Sequence, residues 1–341
     1  MIGLVRRLLG RPAPSAPPVA GVRRARVELR GGSSRVVVCP SLGGLIVEME
    51  MAGRQWLVPG DDTAILPLAD DAAYMGAAET AGYHDCFPTT APCTLPTWVA
   101  RYGGLKLPDH GELWSRAPAF NVETDERGAH AVTTWTGRRM AYVFRRAIGI
   151  DSMGVITTAY QVENRGAEPL PFIWSPMPVF PLGPLTRLVL PAGARMRVWR
   201  SEGLDLGGER REHRWPKVRV GDRLLDLSRP AQLDRRFACK LFVDTPDGVV
   251  ALEESDARLE IRFDPGVMPQ VGLWIDRGGW TGPMRPATTH RLSLQPSIGA
   301  PDSLAEALGA WSAANWLQPG EVRNWSMVWR AERISRERVN R

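Results

Sequence analysis

Short runs of apolar and β-branched residues, each closed by glycine, proline or asparagine turns, recur along almost the whole chain. Runs at 26–29, 34–38 and 45–51 are separated by Gly31-Gly32 and Gly43-Gly44. The same texture returns at 130–136, 140–148, 154–163, 187–190, 237–243, 249–253, 257–263 and 270–275, with turns such as Glu163-Asn164-Arg165-Gly166 and Pro246-Asp247-Gly248 between them. Many short strands at this spacing predict an all-β protein, a sandwich or barrel. Helical signals are sparse. Ser303 and Glu306 have capping-box spacing ahead of Leu308 and predict one short surface helix. No internal repeat or composition change marks a second domain in 22–334, so one β domain is expected there, with a Pro/Ala leader at 1–21 and a basic tail at 335–341.

Composition sharpens this picture. Gly and Pro make up about 18% of the 341 residues, against a usual share of roughly 12%, as a turn-rich β protein requires. The hydrophobic content of 44% is that of a folded chain. A net charge of +6 invites a nucleic-acid or membrane-surface partner. Its distribution argues against both. Residues 1–30 carry seven Arg and one Glu, residues 321–341 carry six Arg and three Glu, and the 290 residues between them sum to −3. The longest uncharged apolar stretch, 169–186, holds six prolines and cannot be a membrane-spanning helix. Cys39, Cys86, Cys93 and Cys239 are too few for a disulfide scaffold and lack zinc-knuckle spacing, so buried free thiols are expected. A cytoplasmic protein with no metal and no cofactor is the expectation.

The candidate chemistry lies in dense polar and aromatic segments placed in loops. No Gly-rich phosphate loop in a strand-to-helix setting, Gly-x-Ser-x-Gly elbow or metal-ligand spacing is present. Gly82-Tyr83-His84-Asp85-Cys86-Phe87-Pro88-Thr89 and Pro108-Asp109-His110-Gly111-Glu112-Leu113-Trp114-Ser115-Arg116 each set imidazole and carboxylate beside a turn and an aromatic. A sugar site needs such a flat apolar face ringed by fixed donors and acceptors. Two further segments are Pro169 through Phe180, which contains Trp174 and Met177, and Leu273-Trp274-Ile275-Asp276-Arg277-Gly278-Gly279-Trp280, followed by Gln295 through Leu304. Trp56, Trp135 and Trp325 lie in strand-like runs and are expected in the core. Trp114, Trp274 and Trp280 are divided between core and groove. Arg116 and Arg277 are candidates for gripping a phosphate or carboxylate, or equally for surface ion pairs. Asp276 is expected as an exposed partner of Arg277.

These segments, in this order, resemble the aldose 1-epimerase (galactose mutarotase-like) superfamily over roughly 22–330. The resemblance implies an antiparallel β-sandwich with a sugar groove across one face. It also implies a mechanism in which a carboxylate deprotonates the anomeric hydroxyl while an imidazolium protonates the ring oxygen. This chain departs from the pattern at both groups. The family's acid histidine falls on Met177, in Ser175-Pro176-Met177-Pro178, and its base glutamate falls on Gln295. His110, in Asp109-His110-Gly111, matches a histidine that holds the sugar.

Three functions follow as alternatives. The first is a carbohydrate-recognising protein whose partner is a sugar or glycosylated small molecule, bound by Asp85, Asp109, Glu112, Trp114, Arg116, Trp174, Met177, Trp274, Arg277 and Gln295. The second is an enzyme of altered chemistry, an epimerase, isomerase or lyase using His84 and His110 as catalytic groups. The third is an active aldose 1-epimerase. Nucleic-acid binding through the basic ends ranks last.

Overall fold

The predicted runs become strands close to where the sequence writes them: Val27–Gly31, Ser34–Cys39 and Leu45–Met51, then Gly128–Thr136, Tyr142–Ile150 and Ile156–Asn164, and later Phe237–Asp244, Val249–Glu253, Ala257–Phe263 and Gln270–Arg277. A computed structural model describes residues 26–59, 74, 81–125, 128–280 and 290–334. The expected leader, 1–21, and tail, 335–341, lie outside the described residues.

Three sheets organise the strands. One eight-stranded sheet runs in the order Arg187–Val189, Val249–Glu253, Ala257–Phe263, Val322–Arg333, Ile156–Asn164, Tyr142–Ile150, Gly128–Thr136, Ala119–Asp125. The second runs Phe180–Pro181, His290–Ser297, Gln270–Arg277, Phe237–Asp244, Arg195–Glu202, Glu212–Arg214, Lys217–Val220, Arg223–Asp226. A six-stranded sheet places Val27–Gly31, Ser34–Cys39, Leu45–Met51, Tyr83–Cys86 and Ser175–Pro178 side by side, with Arg54–Gln55 off its path. The ladders of all three are antiparallel. The all-β sandwich expected from the sequence is the fold observed.

An apolar cluster that runs from Leu29 to Trp329 holds the sheets together. Trp56, Trp135 and Trp325 are buried in it, as expected. Trp174 joins them, fully buried, with ring centroids 4.6 Å from Tyr160 and 5.0 Å from Trp325. Cys39, Cys86 and Cys239 are buried free thiols, and Cys93 is half-buried.

Two segments expected as loops are strands. Tyr83–Cys86 pairs with Ser175–Pro178, matching His84 to Met177 and Asp85 to Pro176. Prolines hid the second strand, since Pro176 and Pro178 have no N–H to donate. They are tolerated because Ser175–Pro178 ends the order of its sheet. The chain then crosses at once to the other sheet, where Phe180–Pro181 pairs with Leu292 and Arg291. Met177 therefore sits at a seam between two sheets. The helix at Leu304–Leu308 forms with Ser303 as its cap, the hydroxyl accepting from the Glu306 N–H at 3.3 Å. It is only half a surface helix, because Leu304 and Ala307 are buried.

Candidate functional site

A cleft of about 480 Å³ opens against the sheet built from Arg195–Glu202, Phe237–Asp244, Gln270–Arg277 and His290–Ser297. Its volume falls in the range usual for small-molecule sites, roughly 300–1,000 Å³. Register across the strands sets which side chains meet on its floor. Lys240 pairs with Trp274 and Gly272 pairs with Gln295, so Lys240, Trp274 and Gln295 line one wall. Trp199 joins them from the neighbouring strand, and Met177 and Trp280 from the sides.

Loops close the opposite wall. Asp109 and His110 reach the cleft on a loop clamped against 87–90: the His110 N–H donates to the Thr90 carbonyl at 2.6 Å and the Glu112 N–H to the Phe87 carbonyl at 2.9 Å. Gly111 is required there, because a Cβ would stand 2.2 Å from the Phe87 oxygen and its φ is +72°. His110 itself holds a left-handed backbone, φ 57°, a conformation that costs a residue with a side chain about 1–3 kcal/mol. Asp109 Oδ1 lies 2.8 Å from His110 Nδ1, and Oδ2 accepts from the Tyr74 N–H at 3.0 Å. Tyr74 stacks on the imidazole at 3.9 Å between centroids. This ring is held in one orientation from two sides.

Gln295 is buried and fully engaged at its oxygen. Oε1 accepts from the Ser175 hydroxyl at 3.1 Å and from the Lys240 ammonium, while Nε2 donates to the Ser293 hydroxyl at 3.1 Å. Lys240 also pairs with Asp302 at 3.0 Å. The Asp302 carbonyl accepts from the Thr90 and Ala91 N–H groups, tying this acid to the loop beneath His110. Cys239 lines the cleft too, but burial pushes its thiol up to about 12 and removes it as a nucleophile near neutral pH.

Of the residues chosen from the sequence, Asp109, His110, Met177, Trp274 and Gln295 line this cleft. The others fall outside its lining. His84 lies behind it, buried edge-on to Tyr74 with both ring nitrogens unpartnered among the described residues, and burial brings its pKa down to about 3. Asp85 forms a buried ion pair with Arg146 at 2.8 Å; burial raises its carboxyl and Arg146 opposes that rise. Glu112 accepts from Arg116, the Arg139 N–H and the Tyr142 hydroxyl at 3.0, 3.1 and 3.0 Å, so Arg116 is held by Glu112. Trp114 is buried and donates to the Asp109 carbonyl at 2.8 Å, supporting the histidine loop from below. Trp174 lies in the aromatic core. Arg277 donates to the Leu233 and Arg235 carbonyls. Asp276 is buried, not exposed, and accepts from the Gly279 and Trp280 N–H groups, which fixes the turn that carries Trp280. Lys240, Asp302, Trp199 and Tyr74 join the lining without any local sequence motif that singles them out.

The same architecture occurs in proteins of known structure. A candidate aldose 1-epimerase from Escherichia coli K12 is 19% identical, with 91% of this chain and 99% of that one covered and a TM-score of 0.62. A galactose mutarotase-like protein from Clostridium acetobutylicum is 12% identical over 91% and 96% of the two chains, with a TM-score of 0.60. The chain has the galactose mutarotase-like fold. A protein from Synechocystis sp. PCC 6803 also shares it, at 15% identity over 91% and 96% of the chains and a TM-score of 0.62. No family profile matches the sequence, and no curated protein matches it. The galactose mutarotase-like fold is thus carried here by a sequence far from those of its structural neighbours. Among the described residues no helix is long and apolar enough to cross a membrane, and no group of three His, Cys, Asp or Glu could hold a metal.

Proposed function

We propose that this protein binds a sugar or sugar derivative in the cleft and lacks the acid/base route of the aldose 1-epimerases. The observation that carries this is the meeting of His110, Met177 and Gln295 on one cleft walled by Trp199, Trp274 and Trp280. Three indoles offer flat apolar faces for a pyranose, and the fixed His110–Asp109 pair offers a donor and acceptors for its hydroxyls. Met177 has no proton to give. Gln295 is a neutral amide whose oxygen is already taken by Lys240 and Ser175. General acid and base groups contribute ~10²–10⁴-fold each, so their joint absence leaves little mutarotation by that route. The enzyme that uses His84 together with His110 is the weaker alternative, because His84 is sealed from the cleft and stays neutral above about pH 3. The ligand is a soluble small molecule, and neither nucleic acid nor a membrane is invoked.

Polarimetry on freshly dissolved glucose and galactose tests the chemical half of this proposal. The wild-type protein is expected to leave the spontaneous rate unchanged, and Met177→His with Gln295→Glu together to raise it. Wild-type acceleration that alanine at His110 abolishes would contradict it.

A further inference from the structure

Lys240 has a donor that no hydrogen-bond acceptor among the described residues takes. The chain carries 40 Arg and only three Lys; Lys106 and Lys217 are exposed, and Lys240 is buried in the cleft wall. Its ammonium meets Gln295 Oε1 above Gly272, where a Cβ would stand 3.1 Å from Nζ and 3.2 Å from Oε1. Asp302 Oδ1 forms an ion pair with it at 3.0 Å. An ammonium has three donors; besides Gln295 and Asp302 it lies only over the Phe242 ring, 5.3 Å from the centroid, and no third hydrogen-bond acceptor meets it among the described residues. The second oxygen of Asp302 likewise accepts no hydrogen bond from them. Both residues line the cleft.

We infer that Lys240 and Asp302 form a donor–acceptor pair that reads two adjacent oxygens of the bound sugar, and this rests on the proposal that the cleft holds a sugar. Lys240 donates to one oxygen, and Asp302 accepts from the hydroxyl beside it. Two neighbouring hydroxyls on a ring offer that complement at the spacing of the ion pair. The charge of Lys240 is already balanced by Asp302, so the pair selects a neutral diol edge over a phosphate or carboxylate. An Arg would not serve: its planar fork would engage Asp302 in a bidentate pair and crowd the strip above Gly272.

Isothermal titration with glucose, galactose and their monodeoxy analogues tests the pair. Lys240→Met with Asp302→Asn leaves no lone buried charge, and thermal melting checks its fold. Gly272→Ala, which presses on the ammonium without removing it, serves as the second variant. Wild-type protein is expected to bind at least one sugar, and the double variant to bind it about 10- to 100-fold more weakly, the effect of losing charge-assisted hydrogen bonds. A monodeoxy analogue lacking one of the two hydroxyls should lose a similar factor against wild type and almost none against the double variant. Lys240→Arg should weaken binding as well. Equal affinity of wild type and both variants for the parent sugar would overturn the pair alone, leaving sugar binding intact. Failure of every sugar to bind the wild type would overturn sugar binding, and the pair with it.

Discussion

His84 and Met177 face each other across paired strands, and the difference in their surroundings decides what each can do. Met177 reaches the cleft; His84 lies behind it with no hydrogen-bond partner among the described residues. Burial is the largest cause of its low pKa, about 3, followed by the electrostatic effect of the neighbouring His110 and Arg146. Between the unfolded value near 6.5 and about 3, the unfolded chain takes up a proton that the native protein refuses. Stability from this residue is therefore complete above pH 6.5 and falls as the pH drops towards 3, by at most about 1.4 kcal/mol per unit. Urea unfolding at pH 7 and pH 5 should show a loss of about 2 kcal/mol that His84→Leu removes. An unchanged pH dependence in that variant would show that His84 is not held neutral. Residues of this kind mark the limit of sequence reading. Tyr83-His84-Asp85 looks like a polar site cluster when written out, yet only the pairing of its strand shows that His84 and Asp85 both point into the interior.

Strand patterning was legible wherever apolar and β-branched residues alternate, as in Leu45–Met51 and Gln270–Arg277. It was illegible at Ser175–Pro178, whose prolines carry the signal of a loop. Likewise Lys240 has no local motif, and its meaning comes from Gly272 and Gln295 on the two strands beyond it. Helix capping at Ser303 was legible because it depends on neighbours in sequence alone. The six-stranded sheet is fastened to the first eight-stranded sheet by Asp85 and Arg146. Arg146 also donates to the Gly44 carbonyl and lies 5.5 Å from the Trp135 ring. Asp85→Ala leaves that guanidinium buried without its carboxylate, and a loss of about 3–5 kcal/mol is expected in urea unfolding. Adding Arg146→Met should recover part of it. Sugar affinity should stay unchanged, because neither residue lines the cleft. A drop of less than about 1 kcal/mol would mean that the ion pair contributes little to joining the sheets.

At the scale of the molecule, the sandwich supplies a rigid floor of strands, and loops 87–91, 108–112 and 302–304, bound to one another, supply the facing wall. The floor contributes Lys240, Trp274 and Gln295; the wall contributes Asp109, His110 and Asp302. This division explains why the site was half legible. The wall residues Asp109 and His110 sit in one short motif, whereas the floor is assembled from four strands spread over a hundred residues. Isothermal titration of a panel of neutral monosaccharides into the wild-type protein and into His110→Ala and Trp274→Ala tests the central claim most directly. At least one sugar is expected to bind at one site per chain, and each substitution to weaken it by about tenfold or more. No heat with any sugar, or binding indifferent to both substitutions, would contradict a sugar site in this cleft.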